Sequence, residues 1–187
     1  RARLVDQAQA LTQRLAQDVR LAVPNSIRVG CGGSCVELMR AVTGGRYRQL
    51  PPGDPLSFIP GDADTTFEVL GNLNHTATVG TSADPTACAG GTASCVVVYN
   101  TGFSGTDLWR ADNRATLISV DPGPPVTLEF DNSQFASGQA AFPAESPGQR
   151  FYLTDTAVSY ICNLAQGTVR RYWGYSPRQD QTDAADQ

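Results

Sequence analysis

Apolar residues in the first 23 positions, RARLVDQAQALTQRLAQDVRLAV, fall at Leu4, Ala8, Leu11, Leu15 and Val19. Steps of four, three, four and four put them on one stripe of an α-helix. Most other positions hold Ala, Gln, Arg or Leu, all good helix formers, and neither Gly nor Pro occurs before Pro24. Pro24 disfavours helix at Val23, so the spacing predicts a helix over 1–23, roughly 34 Å long at ~1.5 Å per residue. The stripe is expected to pack on a sheet formed by the rest of the chain.

Downstream the period changes. Short runs at 27–29, 36–42 (VELMRAV), 66–70, 95–100 (CVVVYN), 115–120 and 126–130 read as strands. The unbroken apolar run of CVVVYN suits a strand covered on both faces. Gly44 and Gly45 read as a turn, and the segments 50–64, 71–91 and 131–148 as loops rich in Pro, Gly or Ser. The strongest strand signal is the last: 157–164 (AVSYICNL) and 168–175 (TVRRYWGY), joined at Gln166 and Gly167. A two-residue turn there pairs Ala165 with Thr168, Cys162 with Arg171, Tyr160 with Trp173 and Val158 with Tyr175. Tyr160, Leu164, Val169 and Trp173 then form the hairpin core, and Arg171 on the same face needs a partner or a route to water. The whole, 1–187, reads as one domain of α+β class: helix 1–23, β-rich body 27–175 and a polar, frayed tail 176–187.

Composition narrows the function. The net charge is −4 and there is no Lys; all 14 cations are Arg. An acidic balance disfavours a nucleic-acid partner. The lack of Lys excludes Schiff-base and P-loop chemistry, and His75 is the single histidine. Cys31 and Cys35 bracket one Gly-rich loop, and Cys88 and Cys95 another, so both are candidate local disulfides of an oxidising compartment. Cys162 is left as a buried thiol or as a partner in some other pairing.

No catalytic constellation emerges. The string around Ser104 lacks the second glycine of a nucleophile elbow. His75 sits in a polar stretch, LNHTAT, with no distinctive neighbours, and reads as a surface residue. The Cys spacings are not those of a zinc site. Asp62 and Asp64 in GDADTT lack the glycine and glutamate of an EF-hand; a solvated turn is the simpler reading, with a loop-built calcium site as the other. The chain is therefore expected to be non-enzymatic, with no cofactor and no small-molecule substrate. A secreted carbohydrate-binding module is an alternative of another class, but it calls for exposed aromatics, whereas Tyr160 and Trp173 read as buried.

Three strings carry a resemblance: the helix exit DVRLAVPNSIRV, VVVYNTG followed by DNRATLISV, and QRFYLTDTAVSYICNLAQGTVRRYWGY, which is the longest and most distinctive. They resemble the minor pseudopilins of mannose-sensitive haemagglutinin (MSHA) pilus biogenesis, the MshO type, within the type IV pilin and pseudopilin superfamily. The resemblance implies a pilin-like fold with a long helix packed on antiparallel sheet. It also implies a non-catalytic role in initiating pilus assembly, in forming the tip or in adhesion, with other pilin and pseudopilin subunits as partners. The J-type minor pseudopilin of type II secretion shares these expectations. In such proteins an apolar helix anchors the precursor in the inner membrane, with the globular part in the periplasm, before assembly into the pilus at the cell surface. Here the chain opens inside a helix with no N-cap before Arg1, so a basic leader, a cleavage site and about 20 apolar residues are expected upstream. The helix face carrying Arg3, Gln7, Arg14 and Asp18 would be left for neighbouring helices or solvent.

Overall fold

The computed structural model describes residues 2–73, 94–133, 135 and 142–181, with side chains from Leu4 onward. One helix, α1 (Ala2–Arg20), precedes eight strands: β1 (Arg28–Gly30), β2 (Cys35–Arg46), β3 (Thr66–Glu68), β4 (Cys95–Val98), β5 (Arg114–Asp121), β6 (Thr127–Asp131), β7 (Arg150–Asn163) and β8 (Thr168–Tyr175). All eight join one antiparallel sheet in the order β1-β2-β7-β4-β5-β6-β3, with β8 also paired to β7. The fold is mostly β. That corrects the α+β, pilin-like expectation of a long helix packed along a sheet. The helix is short, and only its second half meets strands.

β7 organises the sheet. One edge pairs with β2 from Cys35↔Ile161 to Arg46↔Arg150. The other edge pairs first with β4 and then with β8. Pairing with β2 slips between Arg40↔Thr156 and Ala41↔Thr154, leaving Asp155 as an extra residue in β7. A bulge of this kind switches the alternation of faces. Core positions on β7 accordingly pass from odd numbers (Phe151, Leu153) to even ones (Val158, Tyr160). This is also why VELMRAV shows no clean polar–apolar alternation. β2 is covered on both sides, with Leu38 packed beneath the helix and Met39 in a cluster with Val23, Val97, Leu108, Trp109 and Ala157.

The main core is aromatic: Tyr47, Phe67, Phe130, Phe142 and Phe151, closed by Leu56 from the loop before β3. Phe67 meets Phe151 edge-on at 5.2 Å between ring centroids, a favoured geometry for two aromatic rings. Gly44 and Gly45 do not form the expected turn. They lie inside β2, where the strand passes close over Phe151.

The final hairpin differs from expectation by two residues. Asn163 pairs with Thr168 and Cys162 with Val169, so the turn spans four residues, 164–167, rather than two. Tyr160 faces Arg171, and Trp173 lies opposite Val158. Of the expected hairpin core only Tyr160 is buried; Leu164 is 83% exposed, Trp173 is 62% exposed and Val169 is also on the surface. The reason is topological. Among the described residues β8 is bonded to β7 alone, and its outward side chains Val169 and Trp173 are exposed.

A Cβ on Gly44 would stand 2.7 Å from the Phe151 carbonyl oxygen and 3.2 Å from the Tyr152 ring. Gly44→Ala is therefore expected to cost about 1–3 kcal/mol through overpacking. A lower urea midpoint at unchanged slope checks this; an unmoved midpoint would mean that β7 yields at no cost.

Candidate functional site

The helix and its seat on the sheet are where the predicted contact residues can be judged. Leu11 and Leu15, with Ala22, are half-buried against Leu38, Val158 and Tyr160. Leu4 and Ala8 share the same stripe but are exposed, Leu4 by 71%. Val19 is exposed as well. The inner face therefore runs Leu11, Leu15, Asp18, Ala22 rather than Leu4, Ala8, Leu11, Leu15, Val19. The sheet ends beneath the helix midpoint, so the stripe outruns the surface it was expected to cover.

Asp18 was expected to face solvent or neighbouring helices, yet it is 1% exposed. Its Oδ2 accepts hydrogen bonds from Tyr160 Oη at 2.6 Å and Arg171 Nε at 2.7 Å, with Arg14 Nε at 3.7 Å. Arg171, which needed a partner on the hairpin face, thus finds it on the helix. Its guanidinium also lies 4.8 Å from the Trp173 ring centroid, a cation–π contact that leaves the indole on the surface. Burial alone would raise the Asp18 pKa, but the bonds from Arg171 and Tyr160 outweigh it and hold the carboxyl below its ordinary value. Burial and the Asp18 charge push the Tyr160 phenol up to about 12. The Arg171 pKa is lowered by burial and raised by Asp18, with the net effect upward.

A second polar centre occupies the opposite face. Glu37, fully buried, accepts from Arg28 Nε at 2.7 Å and Tyr175 Oη at 2.7 Å, and Ser159 Oγ lies within hydrogen-bond range of both the carboxylate and the phenol. Burial and the nearby Glu37 charge raise the Tyr175 pKa, partly opposed by Ser159. Arg28 stacks 3.9 Å from the Trp109 ring centroid and donates to the carbonyls of Arg178, Gln179 and Asp180, which clasps the C-terminal segment over this face. Nearby Arg114 is buried, and desolvation lowers its pKa to about 10. The Glu37 carboxylate is fully engaged, whereas Nε and Nη1 of the neighbouring Arg114 are buried with no hydrogen-bond partner. The carboxylate that could serve as a base is already ion-paired, and the hydroxyls beside it are engaged.

Cys31 and Cys35 are bonded to each other across the loop between β1 and β2. Cys95 is buried in β4 and is not a free thiol; Cys88 lies outside the described residues, as does His75. Cys162 is a free, half-buried thiol. Asp64 accepts from the backbone N–H groups of Ser57 and Thr66, and Asp62 accepts from Ser57 Oγ, so both close their own loop. Among the described residues no group of three or more His, Cys, Asp or Glu side chains is arranged to hold a metal. Sequence reasoning missed Asp18, Glu37 and Arg28. The one available signal was Arg171 on an otherwise apolar hairpin face.

In the unfolded chain Asp18 titrates near its ordinary value of 3.8, above its folded value. Its stabilisation is therefore present in full above that value and is lost as pH falls through the lowered one. Asp18→Asn is expected to cost about 2–3 kcal/mol at neutral pH, since the bonds it breaks are to a charged group. It should also flatten the acid limb of the stability profile, read by thermal unfolding from about pH 6 to about pH 2. An acid limb identical to that of the parent chain would rule out this anchor.

Comparison with protein-family models, with curated proteins and with solved structures finds no match to this chain.

Proposed function

We propose that the chain is a non-catalytic minor subunit of a type IV pilus apparatus, of the MSHA minor pseudopilin kind that the string at 149–175 resembles. The observation that carries this is the state of α1. Its C-terminal half is fixed to the sheet through Asp18, while its N-terminal half stands clear, with Leu4 71% and Val5 64% exposed. A helix held at one end, with exposed Leu4 and Val5 among polar residues at the other, suits stacking against other helices. The partners are then other pilin and pseudopilin subunits, and the ion-paired carboxylates of Glu37 and Asp18 fit a scaffold better than a catalyst.

Among the described residues no helix is long and apolar enough to cross a membrane. Anchoring in the inner membrane, with the body in the periplasm and later in the pilus, therefore rests in this proposal on an apolar segment upstream of Arg1. The J-type subunit of type II secretion fits the same features, and gene neighbours discriminate the two. One observation favours the sugar-binding alternative: Trp173 is exposed, where burial was expected. Against it, the Arg171 guanidinium is already stacked on that ring, and Tyr172 beside it is half-buried.

The double variant Leu4→Gln, Val5→Gln is expected to fold with an unchanged melting temperature, because both side chains are already in water. In the bacterium that encodes the chain, it should abolish pilus assembly and co-purification with other pilin subunits. Full piliation with undiminished co-purification would remove the proposal, as would an unrelated folded domain encoded directly before Arg1.

A further inference from the structure

At one end of β2 and β7 the sheet holds an electrostatic anomaly. Arg46 and Arg150 are directly opposed across the two strands. Like charges in that position repel, and neither has a carboxylate within salt-bridge distance among the described residues. The chain as a whole has more acids than Arg, 18 against 14, so neutralising partners are not scarce. The nearby Glu145 is bonded to Gln49 instead.

Beside this pair lies a cleft of about 430 Å³ whose lining includes Tyr99, Arg150 and Tyr152, with Asn25, Asn100 and Pro147. The volume suits a small ligand. A shallower depression containing Arg46 adjoins it across Arg150 and Tyr152. Three non-glycine residues in or next to the cleft hold left-handed backbone: Asn25 (φ 60°), Tyr99 (φ 51°) and Gln149 (φ 57°). Such strain persists only where surrounding contacts enforce it, and it collects at binding sites. The enforcing contacts here are reciprocal. Asn25 Nδ2 donates to the Asn100 carbonyl, and Asn100 Nδ2 donates to the Pro24 carbonyl. At Tyr99 the left-handed turn ends β4 and leaves the ring partly in solvent. Arg46 is held against the same rim by the Gly148 carbonyl and the Gln149 side chain.

Three side chains of the cleft are open to a ligand. The Tyr99 and Tyr152 phenols and the Arg150 guanidinium have no side-chain partner among the described residues. Each can donate, the two phenols can also accept, and the guanidinium brings a positive charge. An acceptor-rich ring bearing a carboxylate matches this set: hydroxyl oxygens for the phenols, C–H faces for the rings, and the anion for the arginine pair. We propose that this cleft is a binding site for an acidic saccharide of the uronic acid class, with Arg150 and Arg46 receiving the carboxylate and Tyr99 and Tyr152 the sugar ring. The site stands apart from α1 and does not rest on the pilus reading.

Calorimetric titration of the full chain with digalacturonic acid, neutral galactobiose and sodium phosphate tests this. Digalacturonic acid is expected to bind at least about tenfold more tightly than galactobiose or phosphate, in line with one charge-assisted bidentate contact. Arg150→Gln and Tyr152→Ala should each weaken it by about tenfold or more, whereas Arg170→Gln on β8 should leave it unchanged. Both arginines are exposed, so circular dichroism should report an intact fold for the Arg150→Gln variant. Absence of binding by digalacturonic acid, equal binding of galactobiose, or a response to phosphate alone that ignores Tyr152→Ala would each overturn the proposal.

Discussion

Hydrogen bonding of β7 on both edges is the constraint from which the architecture follows. A strand of 14 residues, paired to β2 from Arg150 to Ile161 and shared between β4 and β8 on its other side, has no free edge over most of its length. Its two faces must then be covered by whatever the chain can bring over them. The aromatic cluster around Phe151 covers one end of the sheet, α1 covers Val158 and Tyr160, and the segment around Trp109 covers the reverse face. The bulge at Asp155 makes this distribution possible. Without the change of alternation there, Phe151 and Tyr160 would require cores on opposite sides of β7.

Each face is fastened by the same chemistry. A buried carboxylate receives an arginine and a tyrosine: Asp18 with Arg171 and Tyr160 on one side, Glu37 with Arg28 and Tyr175 on the other. In both cases the carboxylate lies N-terminal to Val42, and its tyrosine comes from the β7–β8 hairpin. The start of the chain is thereby tied to its end. Guanidinium forks can satisfy a buried carboxylate while stacking on indole, as Arg28 does on Trp109 and Arg171 on Trp173. A chain whose cations are all Arg is well suited to such anchors.

These anchors leave two surfaces with unmet demands. The free half of α1 exposes Leu4 and Val5 to water, and the cleft beside Arg46 and Arg150 offers a guanidinium and two phenols with no side-chain partner among the described residues. As proposed, other helices would cover the first and an anionic ring would occupy the second. The two surfaces share no residue.

The sequence by itself determined the elements and little of their arrangement. The 3.6-residue period marked α1, and CVVVYN marked a strand covered on both faces, because those signals are local and repeat within a few residues. The close pair Cys31 and Cys35 was legible for the same reason. Tertiary structure decided how far the sheet extends beneath the helix, and so why Leu4 and Ala8 face water while Asp18 does not. It also decided the four-residue turn at 164–167, the placement of Gly44 and Gly45 inside β2, and the exposure of Trp173 on an edge strand. Asp18 depends on Arg171 and the glycines on Phe151, both more than 20 residues distant in the chain, and Trp173 is exposed because among the described residues β8 pairs with β7 alone. A periodicity records which side of an element is apolar, but only the packed chain settles whether anything lies against it.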